Sequence, residues 1–174
     1  MELVKKEMLL WRVLLAIIKG GVMKKLIVML KCFKKLLFEF SLEDKILFTE
    51  AFFLTGIMRF KILYVPFNKL KTQLGIHNEE SSKEVSIDEY KMALKIRNAV
   101  VNTSRYTPWE SLCLVQSMTV QKMLSRRNIS STLYLGVNKD EKNEMKAHSW
   151  IRCGSMFVTG GDGSQYATVA RFCK

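Results

Sequence analysis

From Leu3 to about Phe40, Leu, Ile, Val, Met and Phe are interspersed with lysines in a helix-favouring mix broken at Gly20 and Gly21, and the pattern predicts two helices. Ser41-Leu-Glu-Asp44 offers an N-cap with acidic residues in the first turn. The apolar run behind it, through Met58, predicts a further helix that ends before Pro66. Pro66 to Gly75 predicts a short helix stopped by the glycine, and the polar stretch from His77 to Glu84 predicts a loop. Ser86 then precedes Ile87-Asp-Glu-Tyr90, and Tyr90, Ala93, Leu94 and Ile96 or Val100 keep the spacing of one helix face.

After Asn102 the pattern changes. Thr107-Pro-Trp-Glu110 matches a capping box with proline at the first helical position, and Leu112, Val115, Met118 and Met123 continue the periodicity to Arg127. An alternative start at Ser111 puts Cys113 in the first turn, and on either reading Cys113 lies near a helix beginning. Residues 131–137, 147–152, 156–159 and 166–172 read as strands separated by polar or glycine-rich turns. The expected class is therefore α+β, a Cys-bearing helix packed on a small antiparallel sheet, preceded by a helical region. The expected organisation is a basic amphipathic extension over 1–40, a helical region over 41–104 and the helix with its sheet over 105–174, with 41–174 forming one compact domain.

Composition adds three constraints. A chain of 174 residues, 48% hydrophobic and 25% charged, is large enough for one real core and too apolar for wholesale disorder. Its net charge is +12, and residues 1–40 hold nine Lys or Arg against three Glu, so the basic character is concentrated there. No uncharged stretch in that segment reaches the ~18 residues of a spanning helix. A basic amphipathic segment can lie on an anionic membrane surface or pack against its own protein. Nucleic-acid binding is not expected, because the charge is mixed among Leu and Ile rather than set beside exposed aromatics. Cys32, Cys113, Cys153 and Cys173 form neither a CxxC pair nor a Cys/His cluster, so no metal is expected, and without a discernible cleavable signal peptide no disulfide framework is expected either. With no cleavable signal peptide discernible, a cytoplasmic location, peripheral on the membrane's inner face at most, is the expectation.

The two histidines differ in setting: His77 sits in a polar loop and His148 in a predicted strand. A helix-borne Cys113 followed by a strand-borne His148 and an acidic residue on the next turn is the order of papain-like and transglutaminase-like catalysts. A thiol at a helix N-terminus feels unpaired N–H groups and the positive dipole end, both favouring thiolate. An adjacent imidazole takes the proton, and a third group bonded to its far nitrogen fixes the tautomer. Asp162, in Thr159-Gly-Gly-Asp-Gly163, is the candidate third group, and backbone N–H groups around Cys113 are candidate oxyanion donors. Taken singly, each has a plainer reading: Cys113 as a packing residue, His148 as a structural histidine, Asp162 as a turn former. Cys153 and Cys173 have no helix start or second histidine to activate them and read as structural.

Four blocks narrow the choice: Thr107-Pro-Trp-Glu-Ser-Leu-Cys-Leu-Val-Gln116, Met123 to Ile129, Ser131 to Val137, and Ala147-His-Ser-Trp-Ile-Arg-Cys-Gly154. In this order they resemble the leader-peptidase (B-type) proteins of lasso-peptide biosynthesis, in the split form where peptidase and leader-binding protein are separate chains. The resemblance is close from Thr107 to Phe172 and looser from Met23 to Gly75. It implies a cysteine peptidase with Cys113 as nucleophile and His148 as base, acting without metal or cofactor. Its implied partners are the precursor peptide, a small leader-binding recognition protein and an ATP-dependent macrolactam cyclase. The family has an Asp about a dozen residues after the His; here Gly160 and Gly161 occupy the nearer positions and Asp162 follows at fourteen. Two further readings stand beside this one: a transglutaminase-like acyl transferase, and a non-catalytic protein binding a leader or a membrane.

Overall fold

Residues 41–139 and 141–174 are described by the computed structural model, so the extension over 1–40 lies outside the described residues. The element order is α1 (Leu42–Tyr64), α2 (Phe67–Leu74), β1 (Ile76–His77), α3 (Ile87–Ser104), α4 (Cys113–Ser125), β2 (Thr132–Lys139), β3 (Met145–Cys153), β4 (Met156–Thr159) and β5 (Ala167–Cys173). The expected α+β class is observed, and residues 42–174 pack as one unit.

Local chemistry accounts for most boundaries. Pro66 disfavours helical backbone at the residue before it, so α1 stops and α2 restarts behind the proline. At α3 the capping box is complete: the Glu89 N–H donates to Ser86 Oγ at 3.2 Å, and the Ser86 N–H donates to Glu89 Oε2 at 2.7 Å. These bonds hold the Glu89 carboxyl below its usual range. The capping box expected at Thr107 does not form. Thr107 Oγ1 bonds to the Ser104 and Trp109 carbonyls and to Ser111 Oγ, while Glu110 reaches across to Arg59 at 2.6 Å. With both partners engaged elsewhere, 107–112 stays irregular and α4 begins at Cys113, close to the alternative start. The polar loop expected from His77 opens with the short strand β1, which pairs with β5.

The sheet is antiparallel throughout, in the order β1-β5-β2-β3-β4. Helices α3 and α4 pack on one face and α1 packs on those two helices, so that Leu47, Leu54, Ile96, Val100, Val115 and Met123 join Leu133, Ile151 and Phe172 in one core. Each such side chain, fully buried, contributes roughly 1.5–3 kcal/mol. On the other side of α1, Ile46, Phe53, Ile57, Phe60 and Tyr64 recur at helical spacing and are exposed. No helix among the described residues is long and apolar enough to cross a membrane.

The opposite sheet face carries Tyr134, Trp150 and Arg152, all buried. Arg152 is the fastener. Its Nε donates to Tyr134 Oη at 3.0 Å, Nη1 to the Gly154 carbonyl at 2.6 Å, and Nη2 to the Ser81 carbonyl at 2.9 Å and Glu80 Oε2 at 3.1 Å. Glu80 also accepts from Arg171 Nη1 at 2.7 Å. The polar loop is thereby pinned to β3 and β5.

Arg126 and Arg127, at the end of α4, clasp Glu50 of α1 at 2.7 and 2.9 Å. Burial pushes the Glu50 carboxyl up, but the hydrogen bonds and charges of the two arginines outweigh it and hold the group below its usual range. A carboxyl depressed in the folded state stabilises above its unfolded value of about 4.3, and that contribution is lost as pH falls through the folded value. In Glu50→Gln the loss of urea resistance between about pH 6 and pH 3 should be smaller than in the parent, with the deficit at neutral pH. Arg152→Met should be the more damaging change, costing about 3 kcal/mol in urea unfolding because carbonyls and a phenol are left buried without a donor.

Candidate active site

Cys113 is the first residue of α4, preceded by Leu112 in extended conformation. The first intrahelical bond runs from the Gln116 N–H to the Leu112 carbonyl at 3.0 Å. The N–H groups of the opening turn therefore have no intrahelical acceptor and surround the cysteine with positive potential. Gln116 Nε2 also donates to the Ser111 carbonyl at 2.8 Å, fastening the preceding segment to the helix. Trp109 packs on Phe52 with ring centroids 5.1 Å apart and lies over Gly56, which anchors this segment to α1. Cys113 itself is half-buried and not in a disulfide.

His148 stands on β3 opposite Gly136. Side chains alternate along the strand, and Ser149 and Ile151 face the helices. The Ser149 hydroxyl donates to Ser117 Oγ on α4 at 3.2 Å, with both residues buried. His148 and Trp150 accordingly belong to the other face. The imidazole lies 4.8 Å from the Tyr166 ring, tilted by 30°, and 6.1 Å from the Trp150 ring at 22°. Trp150 in turn stacks on Tyr134 at 5.5 Å. The β3–β4 ladder ends at Ile151, so at His148 the strand has left β4 behind.

His148 Nε2 is 2.8 Å from the Gly160 carbonyl oxygen. Asp162, the expected third group, is exposed, and its Oδ1 accepts the Ser164 N–H at 3.0 Å. That bond holds the Asp162 carboxyl below its usual range. The structure thus joins His148 to Gly160 and leaves Asp162 in a turn; Cys113 and His148 lie on the contacting elements α4 and β3, with the imidazole on the sheet face away from the helices, where β3 no longer has β4 beside it. Among the described residues no hydrogen bond links the thiol and the imidazole. Reading residue types could not find the Gly160 carbonyl, since every residue has one; the Gly-Gly pair signalled only a turn. Tyr166 was visible only as a strand residue.

Burial pushes the thiols of Cys153 and Cys173 up, and nearby carboxylates push them further. Among the described residues no group of three or more His, Cys, Asp or Glu is arranged to hold a metal ion.

A helix headed by cysteine, docked on an antiparallel sheet that carries histidine, has its counterpart among known families. Residues 58–171 match the Transglutaminase-like superfamily, and the chain belongs to it. It is also similar to the microcin J25-processing protein McjB of Escherichia coli, at 26% identity over 121 residues, which is 66% of this chain and 55% of that protein. The chain therefore spans little more than half the length of this curated relative. No solved structure matches it.

The three described cysteines should differ in reactivity. In the native protein at neutral pH, iodoacetamide should modify Cys113 at least about tenfold faster than buried Cys153, because alkylation requires thiolate and access. Peptide mass mapping over time reads the order directly, and preferential labelling of Cys153 would contradict the assignment.

Proposed function

We propose that this protein is a cysteine peptidase that removes the leader from a ribosomally synthesised lasso-peptide precursor, freeing the core N-terminus for macrolactam formation. The observation that carries the reading is the placement of Cys113 at the head of a helix docked on the strand that bears His148, in a chain of the Transglutaminase-like superfamily. The similarity to a microcin J25-processing protein supplies the substrate class.

The mechanism needs four groups. Cys113 gives its proton to His148, and the thiolate attacks the last leader carbonyl. The developing oxyanion is stabilised by unpaired N–H groups at the start of α4. His148 then protonates the departing amine of the core peptide, leaving the leader as a thioester on Cys113. Water, deprotonated by His148, cleaves the thioester and restores the thiol. No step requires a metal or an organic cofactor. The released α-amine is the nucleophile a macrolactam cyclase needs, and a separate leader-binding protein would raise the local concentration of the scissile bond. Residues 1–40, basic and amphipathic, would hold the enzyme to such an assembly or to the inner face of the membrane.

The test is mass spectrometry of the cognate precursor incubated with its leader-binding protein and either the parent chain or Cys113→Ala. Cleavage at one site, with water added across the bond and lost by at least about 1,000-fold in Cys113→Ala and His148→Ala, is the expected result. Products lacking the added water would instead mark acyl transfer to an amine. Equal cleavage by parent and Cys113→Ala would exclude Cys113 as nucleophile.

A further inference from the structure

We propose that the backbone carbonyl of Gly160, not the carboxylate of Asp162, is the positioning group for His148, so that the site works with a neutral third member. A carbonyl oxygen can only accept. The 2.8 Å contact therefore requires the proton on Nε2, and in a neutral imidazole this leaves the lone pair on Nδ1. Nδ1 is then the ring nitrogen free to accept a proton.

Two close backbone approaches make the carbonyl a fixed feature. Gly160 has φ +78, and a Cβ there would lie 2.4 Å from the Ser149 carbonyl oxygen and 2.8 Å from Trp150 Cβ. The backbone at 160 is thus pressed against β3 at the residues that follow His148, closer than any other amino acid allows. Gly163, φ +68, likewise brings the far end of the turn onto the Trp150 indole, where a Cβ would meet the ring at 2.3 Å. Between these contacts Asp162 turns outward to the Ser164 N–H, its carboxylate already used as an ordinary turn acceptor. Tyr166, at the end of the same turn, lies against the imidazole and limits its rotation.

A carbonyl fixes tautomer and orientation without placing negative charge beside the imidazolium. The role in catalysis rests on the peptidase reading; the tautomer does not, so the two are tested apart. Nitrogen-15 NMR of the imidazoles in the full chain distinguishes protonated from bare ring nitrogens, and His148 is separated from His77 by its loss in His148→Gln. At a pH where the ring is neutral, the parent and Asp162→Asn should both show Nε2–H with bare Nδ1. Gly160→Ala should mix the tautomers of His148 and leave His77 unchanged. A proton on Nδ1 in the parent, or loss of the preference in Asp162→Asn, overturns the proposal even if Gly160→Ala fails to fold. On the cognate precursor, Asp162→Asn should keep kcat/KM within about twofold and leave its pH profile in place; a fall of about a hundredfold would restore the carboxylate as the positioning group. If the parent cleaves nothing, the peptidase reading fails while the ring spectrum still decides the tautomer.

Discussion

Two buried hydroxyls, Ser117 on α4 and Ser149 on β3, face each other in the largely apolar interface of helix and sheet, where Gln121 Nε2 also donates to the Phe172 carbonyl at 3.2 Å. Each hydroxyl costs about 1–3 kcal/mol if left without a partner. The pair therefore selects one axial position of the helix on the sheet. Ser117 is one turn beyond Cys113 and Ser149 is the residue after His148, so the same bond sets the levels of Cys113 and His148 along helix and strand. Glu50, clasped by Arg126 and Arg127, secures the far end of the same helix. With these two points fixed, the position of Cys113, one turn before Ser117, follows from the geometry of a 13-residue helix.

The outer face of the sheet is held by different means. Its centre is a stack of Tyr134, Trp150 and His148 closed by Tyr166, and its covering is loop backbone rather than helix. Loop backbone can be buried only where its polar groups are matched, and Arg152 supplies that matching for 80–82 while glycines let 160–163 lie flat on the indole. The histidine inherits its surroundings from this arrangement. A carbonyl from the covering turn is what reaches the ring.

Much of this was legible in the residues. Ser86 and Glu89 announced α3, Pro66 and Gly75 bounded α2, and alternation located β2 to β5 to within about two residues. Other features depended on partners distant in sequence. The box at Thr107 failed because Arg59, 51 residues from Glu110, draws the carboxylate away. Arg126 and Arg127 likewise find their partner, Glu50, 76 and 77 residues away on α1. For the third member of the site, the choice of Asp162 followed residue chemistry alone. Side-chain identity says which groups can accept a hydrogen bond, but the backbone offers an acceptor at every position, and only the path of the turn decides which one arrives.

That substitution shifts the electrostatic burden within the site. A carboxylate bonded to imidazole stabilises the imidazolium formed when the thiol gives up its proton; a carbonyl contributes a dipole and no net charge. The thiolate must then draw more of its stabilisation from the head of α4. A helix N-terminus contributes about 0.3–1 kcal/mol to an exposed anion and up to about 2 kcal/mol to a partly buried one. A substrate seated over the site would exclude water and strengthen both the dipole and the ion pair, since each grows as the local dielectric constant falls. On the proposed reading, a neutral third member would therefore tie activation of the thiol to occupancy of the site, because a peptide covering it is what strengthens the pull of the helix dipole.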